Sequence, residues 1–573
     1  MKNPVIQFND YTFKYRTQRE PTLYNINLTI YEGEKILIVG PSGSGKSTLA
    51  HCMNGLVPLS YSGEVSGSLK ICGLDPEQAG IFGMSKKVGT VLQDPDSQFI
   101  GLTVAEDIAF ALENDCVEQS EMILKVDECA KLVGIEHQLK QAPQELSGGQ
   151  KQRVSIAGVM TSPVSILLFD EPLANLDPAT GKYAIELIDQ IHKKTDTTTV
   201  IIEHRLEDVL HRDVDRIILV NDGRIIADAA PNELLSESVL IDAGIREPLY
   251  ITALKYSGCE IKPENLPAHI EQMKFGIEKE KLRKWFATVQ KPVAKLPKEI
   301  ILELEDVSFS YNKVENVLNN ISFSIQKGEM ISIVGRNGAG KSTISKLICG
   351  FESPGKGVIR YKGVDIKDES IKKRAEKIGI VMQNPNQMIS KAMIYDEVAL
   401  GLVARGIKEE EIRTRVEKTL KICGLYPFRN WPIAALSFGQ KKRVTIASIL
   451  VLDPQILILD EPTAGQDFKH YTEIMKFLET INQEYGITII MITHDMHLML
   501  EYTQRAVVIS DGCMIADESS ARILTSQDIV ERASLKVTSL YELAILCDIP
   551  NPTAFVEHFI DFDREVRRRS VQE

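Results

Sequence analysis

The sequence predicts an α/β protein made of two tandem copies of one domain. Three observations carry that prediction: marks that return at a near-constant offset, short continuous apolar runs alternating with helical patterns, and a glycine-rich turn after an apolar run in each half. GPSGSGKST at Gly40 to Thr48 returns as GRNGAGKST at Gly335 to Thr343, an offset of 295. Gln93, Ser147, Asp170 and His204 return as Gln383, Ser437, Asp460 and His494, each at an offset of 290. The slip of five falls between the glycine-rich turn and the glutamine, where the first half is longer around Leu59 to Val65. We read residues 1–235 and 301–521 as the duplicated domains, with a helical tail and linker over 236–300 and a C-terminal helical tail over 522–573.

Within each copy the elements follow from the pattern. EKILIVG runs straight into the glycine-rich turn, SILLFDEP is an apolar strand ending on carboxylates, and TTVIIEH is another strand ending on a histidine. Continuous β-branched runs of this kind suit a mostly parallel sheet covered by helices on both faces. Functional groups then gather at the carboxyl ends of the strands. The two tails share a weak likeness, PLYITALKYSG near Tyr250 against SLYELAILCDI near Tyr541, and both read as short amphipathic helices. KFGIEKEKLRKWF at Lys274 to Phe286 is mixed in sign, like a solvated helix face.

Composition narrows the class. A chain of 573 residues, 43% apolar, is long enough for several domains with their own cores. A net charge of −13 argues against a general nucleic-acid coat. The nine cysteines form no CxxC pair and read as buried thiols rather than a metal site. The start, MKNPVIQFNDYTFKY, lacks the apolar core of a signal peptide. No run reaches the ~18 to 20 apolar residues that cross a bilayer, so if this chain works at a membrane, another protein crosses it.

The glycine-rich turns carry the chemistry. A strand, a turn bounded by glycines, and Lys-Ser opening a helix make a nest of backbone N–H groups that suits phosphates. The expected contacts are Gly40, Pro41, Ser42, Gly43, Ser44, Gly45, Lys46, Ser47 and Thr48 in the first copy. In the second they are Gly335, Arg336, Asn337, Gly338, Ala339, Gly340, Lys341, Ser342 and Thr343. Lys46 and Lys341 would reach the β- and γ-phosphates of ATP, and Ser47 and Ser342 would hold Mg2+. Asp170 and Asp460 suit the second magnesium contact, with Gln93 and Gln383 as further candidates. Glu171 and Glu461 follow them and are expected to be the general bases that orient water. His204 and His494 stand at matched distances beyond and are assigned to the γ-phosphate.

LSGGQKQRV at Leu146 to Val154 and LSFGQKKRV at Leu436 to Val444 complete an ordered set that resembles the ATP-binding-cassette (ABC) ATPases. That resemblance implies two tandem P-loop NTPase domains, each with a RecA-like core, an antiparallel β subdomain and a helical subdomain, plus small helical tails. It implies a pseudo-dimer within one chain, in which Ser147 and Gly149 serve the nucleotide of the second cassette, and Ser437 and Gly439 that of the first. ANLD at Ala174 to Asp177 and AGQD at Ala464 to Asp467 resemble D-loops, and Tyr15 and Tyr311 match the aromatic residue that stacks on adenine. Phe438 replaces the usual first glycine of the signature, a position the family tolerates. Because both copies keep their Glu and His, two competent sites are expected.

VLQDPDSQF, VMQNPNQM, LSFGQKKRV and EPTAGQD further resemble the ATPases of energy-coupling-factor importers of cobalt and vitamins. This implies a peripheral protein on the cytoplasmic face of the membrane, bound to integral membrane subunits whose coupling helices dock near Gln93 and Gln383, with no nucleic-acid partner. Gln387 lies four residues after Gln383 whereas Gln98 lies five after Gln93, a departure that bears on any family role of Gln387. The rival readings are another transporter, such as a sugar importer, and a soluble tandem-cassette ATPase acting on ribosomes. The latter usually carries a long basic linker, unlike the short mixed one here.

Overall fold

The computed structural model describes residues 2–174, 176–287, 299–312 and 315–569. Asn175 of the ANLD motif and the 288–298 part of the expected linker lie outside the described residues. The chain divides between Trp285 and Phe286 into two compact units, with the short segment Asp467–Lys469 grouped with the first.

In the first unit a six-stranded sheet has the order Val88–Val91, Ile166–Asp170, Thr198–Ile202, Lys35–Val39, Arg216–Asn221, Arg224–Ala229. The first five strands are parallel and the last is antiparallel. Alternate side chains leave opposite faces of a strand, and here both faces are dry. Leu37, Val39, Leu167, Phe169 and Ile201 enter one core, and Ile36, Ile38, Leu168, Val200 and Ile202 the other. Double burial explains why these strands read as unbroken apolar runs rather than alternating ones. The second core is closed by a three-stranded antiparallel sheet of Leu23–Tyr31, Pro4–Tyr15 and Gly63–Ile71.

The second unit repeats this plan. Its sheet runs Ile378–Val381, Ile456–Asp460, Thr488–Ile492, Met330–Val334, Arg505–Ser510, Cys513–Ser519, beside a four-stranded antiparallel sheet. A helical group follows in each unit: Val104–Asn114, Gln119–Val133 and Gly148–Met160 in the first, Ile394–Ala404, Glu409–Ile422 and Phe438–Leu450 in the second.

The tails are helical, and their likeness is structural. Leu249–Tyr256 and Ser539–Leu546 keep the offset of 290 at both ends. The charged segment ending at Phe286 forms the helix Glu278–Ala287, with Glu280, Arg283 and Lys284 exposed and Leu282 fully buried. One apolar residue among lysines and glutamates is enough to dock a helix whose charged groups stay in water.

Candidate nucleotide-binding and catalytic sites

Each phosphate loop begins where a buried strand meets the carboxyl edge of its sheet. A Cβ on Gly40 would lie 2.1 Å from the carbonyl oxygen of Val220, and one on Gly335 would lie 2.0 Å from that of Ile509. Glycine is therefore required there by the neighbouring strand, independently of any ligand. The loops lead into the helices Lys46–Met53 and Lys341–Cys349. Lys46 Nζ donates to the carbonyls of Gly40 and Pro41 at 2.8 and 2.9 Å, and Lys341 Nζ to those of Gly335 and Arg336 at 2.7 and 2.9 Å. Burial lowers the Lys46 pKa, opposed chiefly by Glu171. Each ammonium is thus held over its own loop, where a phosphate would replace carbonyls as its partner. Tyr15 and Tyr311 join these loops through their hydroxyls, 3.0 Å from Thr48 Oγ1 and 3.3 Å from Thr343 Oγ1.

The carboxylates fit a cation. Asp170 Oδ1 is buried and has no hydrogen-bond partner among the described residues, as is true of Ser44 Oγ in the phosphate loop. Burial and then Glu171 push Asp170 up to about 6. A buried carboxylate oxygen without a partner, together with the exposed Ser47 hydroxyl in the first turn of the phosphate-loop helix, is a donor set that suits Mg2+, which would supply charge neutralisation for phosphates. In the second unit Ser342 Oγ donates to Asp460 Oδ2 at 3.4 Å, and burial likewise raises Asp460.

The adjacent glutamates reveal how consecutive carboxylates share one site. Glu171 and Glu461 have φ of 48° and 44°, in the left-handed region. For a non-glycine residue that costs of order 1–3 kcal/mol, and it turns the chain so that the second side chain does not go to the opposite face. Glu171 accepts from Gln93 Nε2 and meets His204 Nε2 at 2.9 Å. Against the upward push of burial, His204 and Lys46 hold Glu171 below the usual carboxylate range. Glu461 meets His494 Nδ1 at 2.7 Å and accepts from the His494 backbone N–H at 3.2 Å and the Thr493 hydroxyl at 3.1 Å. Gln93, Glu171 and His204 are thus brought together, as are Glu461 and His494.

Ser147 and Ser437 cap the helices Gly148–Met160 and Phe438–Leu450 in matching capping boxes with Gln150 and Gln440. Their N–H groups open a helix, the geometry that favours anions. A Cβ on Gly148 would meet only Leu176, at 3.8 Å, which explains how Phe438 is accommodated at the matching place, 43% exposed. Asp177 caps the following helix by accepting from the Thr180 N–H at 2.9 Å.

Several roles escaped sequence reading, in which Gln98 stood only as a mark of spacing. Gln98 braces the first glutamine loop, accepting from Leu92 N–H at 3.1 Å and donating to the Thr90 carbonyl at 3.2 Å. Its structural counterpart is Met388, whose Sδ takes the Met382 N–H at 3.2 Å, while Gln387 is exposed. Lys442 donates to the carbonyls of Met382 and Gln383 at 3.0 and 2.7 Å, and burial brings it down to about 8. Glu203, buried beside His204, is the other omission. The offset of 290 sets it opposite Thr493, a carboxylate against a hydroxyl, and that mismatch was the available signal.

Two phosphate loops, each with a carboxylate pair, a histidine and a serine-capped signature helix, define a tandem-cassette nucleotide hydrolase. The family model for ABC transporters matches residues 23–174 and 318–464, and the model for an ATP-binding cassette cobalt transporter matches residues 237–309. A putative ABC transporter ATP-binding protein of Clostridium perfringens (strain 13 / Type A) is 60% identical over 566 residues, covering 99% of this chain and 100% of that protein. Another, from Enterococcus faecalis (strain ATCC 700802 / V583), is 57% identical over 568 residues, with 99% and 100% covered. The solved structure of cbiO1 from Clostridium perfringens, described as part of the ABC transporter complex cbiONQ, is 37% identical with a TM-score of 0.39, over 44% of this chain and 100% of its own. The chain belongs to the ABC transporter ATP-binding proteins, and it is an ATPase.

Proposed function

We propose that this chain is the energy-coupling ATPase of an importer for a vitamin, a vitamin precursor or a metal ion. The observation that carries the reading is the match of residues 237–309, the first tail and linker with the strand Ile300–Phe309, to the cobalt-transporter family model. The glutamine-loop sequences VLQDPDSQF and VMQNPNQM support it. Among the described residues no helix is long and apolar enough to cross a membrane. The proposed partners are integral membrane subunits docking near Gln93 and Gln383, with the chain on the cytoplasmic face. Recovery of the tagged chain from detergent-solubilised membranes with two integral membrane proteins is the expected result. Recovery with ribosomes alone would overturn it.

Within this reading Mg2+ is held by Ser47 and Asp170, and by Ser342 and Asp460, with Gln93 and Gln383 as further contacts. Glu171 and Glu461 serve as bases, and His204 and His494 hold them and the γ-phosphate. Each signature is proposed to complete the other cassette's site, so that Ser437 and Gly439 serve Lys46, and Ser147 and Gly149 serve Lys341. Tyr15 and Tyr311 stack on adenine. Both sites hydrolyse ATP: Glu171→Gln and Glu461→Gln should each lower steady-state ATPase severalfold. Full activity surviving either change alone would sink equal participation.

A further inference from the structure

We propose that Glu203 is the positioning residue for the base of the first cassette, tying the backbone just after Glu171 to the turn that carries His204. The inference rests on the reading of Glu171 as that base. Glu203 is 3% exposed and spans two segments. One carboxylate oxygen accepts from the Leu173 N–H at 3.0 Å, and the other from the N–H groups of His204 and Arg205 at 2.5 and 3.2 Å. Leu173 is two residues beyond Glu171, which sits in the left-handed region at φ 48°. A backbone so strained holds its shape only where the surroundings over-determine it. The Glu171 N–H donates to Ile202, and the Ala174 N–H returns to the Glu171 carbonyl at 3.0 Å. Two side chains add to these bonds: Gln152 Nε2 donates to the Pro172 carbonyl, and Glu203 takes the next N–H, that of Leu173, and alone of the two reaches the His204 turn as well. It also fixes the spacing of Glu171 from His204, because one carboxylate holds both turns.

The second cassette solves the same problem differently. Glu461 has nearly the same left-handed φ, but Thr493 stands where Glu203 does, and its hydroxyl donates to the Glu461 carboxylate itself. The Asp495 N–H returns to the Thr493 hydroxyl at 2.9 Å. One base is therefore held through its backbone, leaving its side chain to Gln93 and His204. The other keeps the matching backbone bonds, from the Glu461 N–H to Ile492 and from the Ala464 N–H to Glu461, and the residue aligned with Glu203 holds its carboxylate instead. Substitution at this one aligned position should act on each cassette by a different route.

Glu203→Gln is the informative change because it keeps the shape. A glutamine has a single acceptor oxygen, so it keeps one end of the tie and sets its NH2 against N–H donors at the other. Vanadate trapping of 8-azido-ATP, with photolabelled peptides assigned to each cassette by mass spectrometry, reads hydrolysis site by site. Glu203→Gln should lower trapping in the first cassette by about tenfold or more, with KM for ATP within about twofold and second-cassette trapping at about half of wild type or better. Thr493→Val should lower the second cassette's label and spare the first. First-cassette trapping near wild type, loss shared equally by both cassettes, or a KM rise accounting for the whole loss would overturn the proposal. Should Glu203→Gln fail to fold, as read by its melting midpoint and fluorescent-nucleotide binding, Glu203→Asp makes the same comparison with an arm too short to span both turns. Glu171→Gln is measured in parallel. If it leaves first-cassette trapping intact, the assignment of the base fails too, whereas trapping lost there but kept in Glu203→Gln sinks the positioning role alone.

Discussion

Asp170 carries the sharpest prediction at the scale of single residues. Burial and then Glu171 push its carboxyl up to about 6 in the folded chain, above its ordinary value. A carboxyl raised by folding contributes stability that is present in acid and lost as pH rises through about 6. Asp170→Asn removes that dependence. In EDTA, the gain in melting midpoint of Asp170→Asn over wild type should therefore widen from pH 5 to pH 7.5, and Mg2+ with ATP should close it for wild type by compensating the carboxylate. A gap that is constant with pH would mean that the charge is not strained. The same physics makes Mg2+ activation weaken below pH 6, where the carboxyl holds its proton.

Elements carry these residues only as well as their ends are fixed. The C-terminal helix Pro552–Arg569 packs on Met496–Tyr502, the helix that follows His494. Arg567 reaches Glu501 at 3.0 Å, pairs with Asp563 and lies 5.0 Å from the ring centroid of Tyr502. The Glu501 side chain is only 4% exposed and also accepts from the Tyr471 hydroxyl at 3.3 Å, so removing Arg567 takes the cation from a buried carboxylate that keeps a neutral donor. Arg567→Ala should cost about 3–5 kcal/mol in denaturant unfolding of the transition that includes this helix. Adding Glu501→Gln should recover part of it, since a neutral amide tolerates burial better. A loss below about 1 kcal/mol would mean that water replaces the arginine. The tail is thus a buttress for the histidine end of the second cassette, a role that its amphipathic pattern alone did not disclose.

The whole molecule is a duplication, and duplication predicts stoichiometry. Two phosphate loops should bind two nucleotides per chain, counted by equilibrium dialysis with Mg-ATP. Lys46→Ala and Lys341→Ala should each leave about one, and the pair together none at the same concentration, since each lysine serves its own loop's phosphates. A single substitution that abolishes both would mean that the loops do not bind separately. The cassettes nevertheless differ in detail. Ser44 faces Ala339, Gln98 faces Met388, Gln152 faces Lys442 and Glu203 faces Thr493 across the repeat. The last three pairs change the side-chain bonds that hold the backbone, whereas Ser44, like Ala339, makes no side-chain hydrogen bond among the described residues.

The sequence by itself determined the repeat, the doubly buried parallel sheets, the phosphate loops and the family. The first three follow from periodicity and from short patterns of consecutive residues, and the family from the resemblance of its ordered motifs. What only the tertiary structure decided is how the catalytic groups are held. The left-handed turn at Glu171 and Glu461, the tie from Glu203 to Leu173 and the buried Arg567 pair join residues far apart in the chain or depend on a backbone angle that no residue type announces. Leu282 shows the same limit in small, a single apolar residue in a charged segment whose burial depends on what packs against it. Local pattern fixes which groups are present at the carboxyl edge of each sheet. Burial and hydrogen bonds between distant segments fix where those groups point.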